Sequence, residues 1–105
     1  MWAVRKPFSP NSFSVPGRPV AVDPTVATVA RQVGRVIGLS VFGVDVIESR
    51  SGPVVVDVNY FPGFKGCAGV AGPLAHHIHA VATGRRAEPG PVSDVSVATG
   101  LATAR

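Results

Sequence analysis

Two valine-rich segments, Val41-Phe-Gly-Val-Asp-Val-Ile-Glu48 and Pro53-Val-Val-Val-Asp-Val-Asn-Tyr-Phe-Pro-Gly63, are separated by only four residues and admit one simple fold, a β-hairpin. Side chains alternate between the two faces of a strand. Phe42, Val44 and Val46 then share an apolar face with Val54, Val56, Val58 and Tyr60. Gly43, Asp45 and Ile47 share the other with Val55, Asp57 and Asn59. Carboxylates are among the least buried residue types, so two of them within strands this apolar need a compensating partner.

If Ser49 pairs with Pro53, the connection is the three-residue loop Arg50-Ser51-Gly52, with glycine where that loop class wants a left-handed residue. Asp45 then lies opposite Asp57, and Asn59 lies opposite Gly43. Opposed Cβ atoms are about 4.5–5.5 Å apart, close enough for two carboxylates to share a cation. Asn59 follows on the same face at roughly 6.6 Å along the strand. Gly43 is expected to leave space beside it for a ligand. A slip of one residue would send Asp45 and Asp57 to opposite faces. A single strand Asp is ordinarily an edge residue or the partner of a nearby Arg, but here three oxygen ligands share one face. Carboxylate and amide oxygens favour a hard cation, Mg²⁺ or Mn²⁺, over zinc. With few protein ligands, Mg²⁺ keeps water and phosphate oxygens, which points to a nucleotide triphosphate site.

The remaining chain supplies an α+β frame. Trp2–Lys6 reads as a short strand, and residues 8–22 as a Pro/Ser/Gly-rich loop with an extended end. Asp23-Pro24 begins a helix that Gly38 ends, with Val26, Val29, Ala30, Val33, Val36 and Ile37 inward. Gly72–Thr83 reads as a second helix, closed by Gly84. The expected fold is therefore a small, mostly antiparallel sheet with helices packed on one face. Residues 1–84 form the expected domain, and 85–105 an expected disordered tail.

Composition excludes several classes. Lys and Arg are scattered along a chain of net charge +4, so a nucleic-acid groove is not expected. Cys67 is the one cysteine, which rules out an internal disulfide framework. No apolar run approaches the ~20 residues of a membrane span, and the N-terminus lacks a signal-peptide core, so the cytoplasm is the expected compartment. Charged residues make up only 15%, against about 25% in ordinary soluble domains, as in a piece with faces meant for covering. His76, His77 and His79 share a helix without a further ligand or acid nearby, which fits a solvated helix edge better than a metal site. Trp2 and Phe61 are expected in the core or facing a lid.

The Gly43-Val-Asp45 strand, followed by Asp57-Val-Asn59-Tyr-Phe-Pro62-Gly63, resembles the C-terminal part of an ATP-grasp domain. The nearest flavours are the ribosomal-protein glutamate ligases and, second, the inositol trisphosphate kinases. The resemblance implies that Asp45 binds one Mg²⁺ (or Mn²⁺), Asp57 bridges two, and Asn59 completes the second, clamping the phosphates of ATP. In the ligases a carboxylate attacks the γ-phosphate, and an amine captures the acyl-phosphate; the acid and amine partners are not identified. Arg5 or Lys6 resembles the basic residue that reaches the phosphates in these enzymes, or is an ordinary solvated strand end. Lys65 either touches substrate or phosphate, or is a plain loop lysine. Complete members carry an upstream domain and a lid. No Gly-rich phosphate loop or upstream lysine pair is present here, so the chain is expected to be truncated, internally started, or completed by another polypeptide. A catalytically silent remnant or interaction module with the same fold is the alternative.

Overall fold

The structure is a computed structural model that describes residues 1–7, 9–10 and 14–90. Six elements occur in the order β1 (Ala3–Arg5), β2 (Arg18–Val20), α1 (Pro24–Ile37), β3 (Gly43–Ser49), β4 (Gly52–Asn59) and α2 (Ala71–Ala82). The α+β class and the antiparallel pairing agree with the sequence, but the strands form two separate two-stranded ladders, β1–β2 and β3–β4. β2 is the extended end of the expected loop. The expectation for residues 91–105 lies outside the described residues, as do positions 8 and 11–13 of the loop.

The chain divides into two compact units. The first comprises Met1–Asp23 with Gly63–Ala87. Here β1 pairs with β2 in the register Ala3↔Val20, Val4↔Pro19 and Arg5↔Arg18. The loop before α2 is held to β1 at two points. The Trp2 indole N–H donates to the Ala68 carbonyl at 3.0 Å. A methyl group on Gly66 would lie only 3.0 Å from the Val4 Cγ1, so the loop backbone rests directly on β1. α2 ends where Thr83 Oγ1 donates to the His79 carbonyl at 2.8 Å.

Among the described residues, the second unit comprises Pro24–Pro62 and residues 88–90. Its α1 runs from the expected proline and closes on Gly38, whose φ of 70° lets its N–H and that of Leu39 both reach the Gly34 carbonyl, at 3.0 and 3.2 Å. The inward face differs from expectation at Val36, which is 47% exposed. Ala27 and Gly34, two turns apart, are the buried residues of α1 instead. Small residues are needed there because Phe42 packs onto the helix backbone: a methyl on Gly34 would meet its ring at 2.7 Å. α1 also packs on β4. The Ser40 hydroxyl donates to the Glu88 carboxylate, 2.6 and 2.7 Å from its two oxygens.

Burial is thin. Ala27 is the one apolar residue below a tenth exposure among those described, whereas Tyr60 is 82% and Phe61 58% exposed. Trp2 is also largely exposed, so neither it nor Phe61 is a core residue.

Candidate functional site

The hairpin reaches the expected ligand register by an unexpected route. Glu48 pairs with Pro53 and Ser49 with Gly52, so the connection is the two-residue loop Arg50-Ser51, one residue shorter than the sequence implied. Ser49 drives this tightening. Its hydroxyl donates to the Gly52 carbonyl at 2.7 Å and accepts the Ser51 N–H at 3.2 Å. Gly52, at φ +111°, supplies the backbone geometry that an L side chain resists.

Carried along an unbroken ladder, this register would set Asp45 opposite Val56 and turn Asp57 to the other face. A β-bulge prevents that. Val46 pairs with Val55 while Asp45 pairs with Asp57, which leaves Val56 as the extra residue. Below the bulge the order is as expected: Val44↔Val58 and Gly43↔Asn59. Above it two assignments change. Val55 joins Val46 on the apolar face, and Val54 lies opposite Ile47. Val56, expected inward, is 55% exposed.

Asp45, Asp57 and Asn59 are thus neighbours on one exposed face of β3–β4. Among the described residues none of the three side chains is engaged in a hydrogen bond or ion pair. Two like charges directly opposed across a ladder repel. A divalent cation converts that repulsion into attraction, so the donor set suits a hard ion with room for further oxygens. Among the described residues no group of three His, Cys, Asp or Glu converges, so the amide of Asn59 is the third donor on offer. An ion held there would need outside ligands to complete its shell.

The space expected beside Gly43 is not open. A Cβ there would lie 2.9 Å from the Pro62 Cβ and 3.7 Å from the Asn59 Cβ. Gly43 makes room for the return of the chain at Pro62, which packs beside Asn59. Sequence reasoning missed this because a glycine in a strand signals close approach without naming what approaches.

Arg5 ends β1 and Lys6 follows it, both exposed and both in the first unit. Lys65 is exposed in the loop of that unit. The same unit holds the histidines, where the Arg86 guanidinium donates to His77 Nδ1 at 3.2 Å. Cys67 is half-buried, its N–H bonded to the Phe64 carbonyl. No helix among the described residues is long and apolar enough to cross a membrane.

The bulge yields a paired test. Deleting Val56 makes the ladder regular and keeps Asp45 opposite Asp57, so any Mn²⁺ binding that depends on this pair is expected to be retained. Deleting Ile47 moves Asp45 one place and onto the other face, so binding is lost. Mn²⁺ titration of the two variants checks this; equal behaviour would deny the register its importance.

Residues 10–80 match the family model described as inositol 1,3,4-trisphosphate 5/6-kinase ATP-grasp domain. Similar curated proteins include a probable alpha-L-glutamate ligase of Xanthomonas axonopodis pv. citri, 52% identical over 44 residues, which are 42% of this chain and 15% of the relative. Another, from Thioalkalivibrio sulfidiphilus and with the same name, is 43% identical over 54 residues, or 51% of this chain and 18% of the relative. The chain therefore spans less than a fifth of the length of these two relatives. No solved structure matches it.

Proposed function

The chain belongs to the inositol 1,3,4-trisphosphate 5/6-kinase ATP-grasp domain family, and from that membership we propose that it supplies the cation ligands of an ATP-dependent carboxylate–amine ligase. The observation that carries this is the register that sets Asp45 against Asp57, with Asn59 two residues on along the same face. Asp45, Asp57 and Asn59 would hold the Mg²⁺ or Mn²⁺, with Asp57, adjacent to both of the others, placed to serve two ions. When bound, the ions offset charge on the terminal phosphates of ATP as phosphoryl transfer proceeds. Arg5 and Lys6, exposed cations of the first unit, are the proposed phosphate-binding residues of that unit. The ligase is preferred over the kinase because the relatives carry the ligase name. ATP as the co-substrate fits a cytoplasmic setting, with the remainder of the pocket supplied by further ATP-grasp elements.

A second possibility, an interaction module that keeps the fold without turnover, is favoured by the exposure of Tyr60 and Phe61 beside the ligand face. Electron paramagnetic resonance of Mn²⁺ titrated into the protein, with and without ATP, separates the two. Saturable Mn²⁺ binding that Mg²⁺ displaces and ATP strengthens is the ligase result. An unchanged free-Mn²⁺ signal at millimolar protein leaves only the module.

A further inference from the structure

Of the three oxygen donors on the hairpin, Asn59 has the least to hold it. Its pairing with Gly43 is the last of the β3–β4 ladder, so no further rung lies beyond it. Every residue from 56 to 61 is exposed, so the end of β4 leaves the ladder without burying a side chain. The ends of a ladder fray more readily than its middle. An amide at such an end keeps several rotamers, and ordering it on binding costs affinity.

Pro62 is the first half-buried residue after that exposed run, and its seat is on the ligand face. Position 43 shares a face with Asp45, because side chains two apart point the same way. A Cβ on Gly43 would lie 2.9 Å from the Pro62 Cβ, 3.4 Å from its Cγ and 3.7 Å from the Asn59 Cβ. The proline ring therefore occupies the volume that a side chain at position 43 would take, next to Asn59. Gly43 is needed for this by space alone, since its φ is not among the positive ones. The ring also fixes the φ of residue 62, which stiffens the return of the chain just after Asn59.

We propose that Pro62 is a positioning residue for Asn59: seated on Gly43, it walls the ligand face and restricts the amide, so that the third donor is ordered before an ion arrives. This rests on the cation role proposed above for Asn59 and adds the residue that makes that role effective. Groups that orient a metal ligand without touching the metal act in this way.

The test is Mn²⁺ titration of the full chain, followed by electron paramagnetic resonance, in Gly43→Ala and Pro62→Gly, with each change also made in an Asn59→Ala background. Gly43→Ala adds a carbon that a rigid ring cannot evade without moving, and Pro62→Gly removes the ring and frees the turn. Each is expected to weaken Mn²⁺ binding about tenfold, the lower end of the roughly 10–100-fold that follows loss of a group supporting a metal ligand. In the Asn59→Ala background, itself a weaker binder, neither adds a further loss, because the effect runs through that amide. Pro62→Gly introduces no clash and decides the matter should Gly43→Ala not fold. An equal loss in both backgrounds overturns the proposal, since a purely structural role would act without regard to Asn59. Unchanged affinity in both variants overturns it too, as does a loss confined to one of two folded variants, because ring and seat form one contact. If the parent binds Mn²⁺ and Asp57→Ala does not, while Gly43→Ala and Pro62→Gly match the parent, the cation site stands and only the role of Pro62 falls. A parent that binds no Mn²⁺ overturns both.

Discussion

If the hairpin holds the cation as proposed, replacing Asp57 with alanine is expected to abolish Mn²⁺ binding, with a loss larger than the roughly 10–100-fold that follows removal of a group merely supporting a metal ligand. Asp57 is opposite Asp45 and two residues from Asn59 on the same face, so it is the one donor adjacent to both of the others. Its removal leaves a single carboxylate and an amide, too little charge to dehydrate a hard cation. Asp57→Asn keeps the shape and removes the charge, and it should lose the ion equally. In metal-free buffer the same substitution raises the melting temperature, because the opposed carboxylates no longer repel. With Mg²⁺ present, the order reverses, since only the parent protein gains stability from a bound ion. Mn²⁺ resonance and melting curves with and without Mg²⁺ measure both effects. An Asp57→Ala protein that binds Mn²⁺ like the parent would move the ion elsewhere and sink the proposed role of the hairpin.

The second large effect is on stability. Gly34→Val is expected to destabilise the fold by roughly 2–3 kcal/mol, the upper part of the usual overpacking range. The first added carbon would sit 2.7 and 2.8 Å from two ring atoms of Phe42, and 3.4 Å from the Leu39 carbonyl oxygen. Replacing a helix-interior glycine ordinarily gains up to about 1 kcal/mol in propensity, less for a β-branched residue. Here the clash outweighs that gain. Stabilities of typical domains are only about 5–15 kcal/mol, so the loss is easily read from a urea melt. Phe42→Leu in the same background should recover part of it, because the two positions share one contact. Strict additivity of the two substitutions would mean the ring is not what excludes the side chain.

These two predictions draw on different depths of the sequence. The shared face of Asp45, Asp57 and Asn59 is readable because the three interrupt valine-rich strands at a spacing that places them together. α1 was readable from Pro24 and Gly38, which mark its ends by local backbone chemistry. The packing of Phe42 on Gly34 was not, since a glycine inside a helix carries no periodic signal. Spacing puts Val36 inward, yet the buried residues of α1 are Ala27 and Gly34, the latter against Phe42. The loop of the hairpin was assigned one residue too long because the Ser49 hydroxyl, which closes the turn, is invisible to a glycine rule. That misplacement and the unforeseen bulge at Val56 offset each other, so the ligand register came out right with a different path to it.

By itself, the sequence determined which oxygen-bearing side chains share a strand face, where the first helix starts and stops, and which family the chain resembles. All of these depend on residues near one another along the chain, where alternation and caps act. Tertiary structure alone decided that Pro62 fills the space at Gly43, that Val56 is set aside to keep Asp57 facing Asp45, and that most of the positive charge gathers in one unit. Each of those depends on segments meeting across a turn or across the 42 residues between Val20 and Gly63, and no local period records such a meeting.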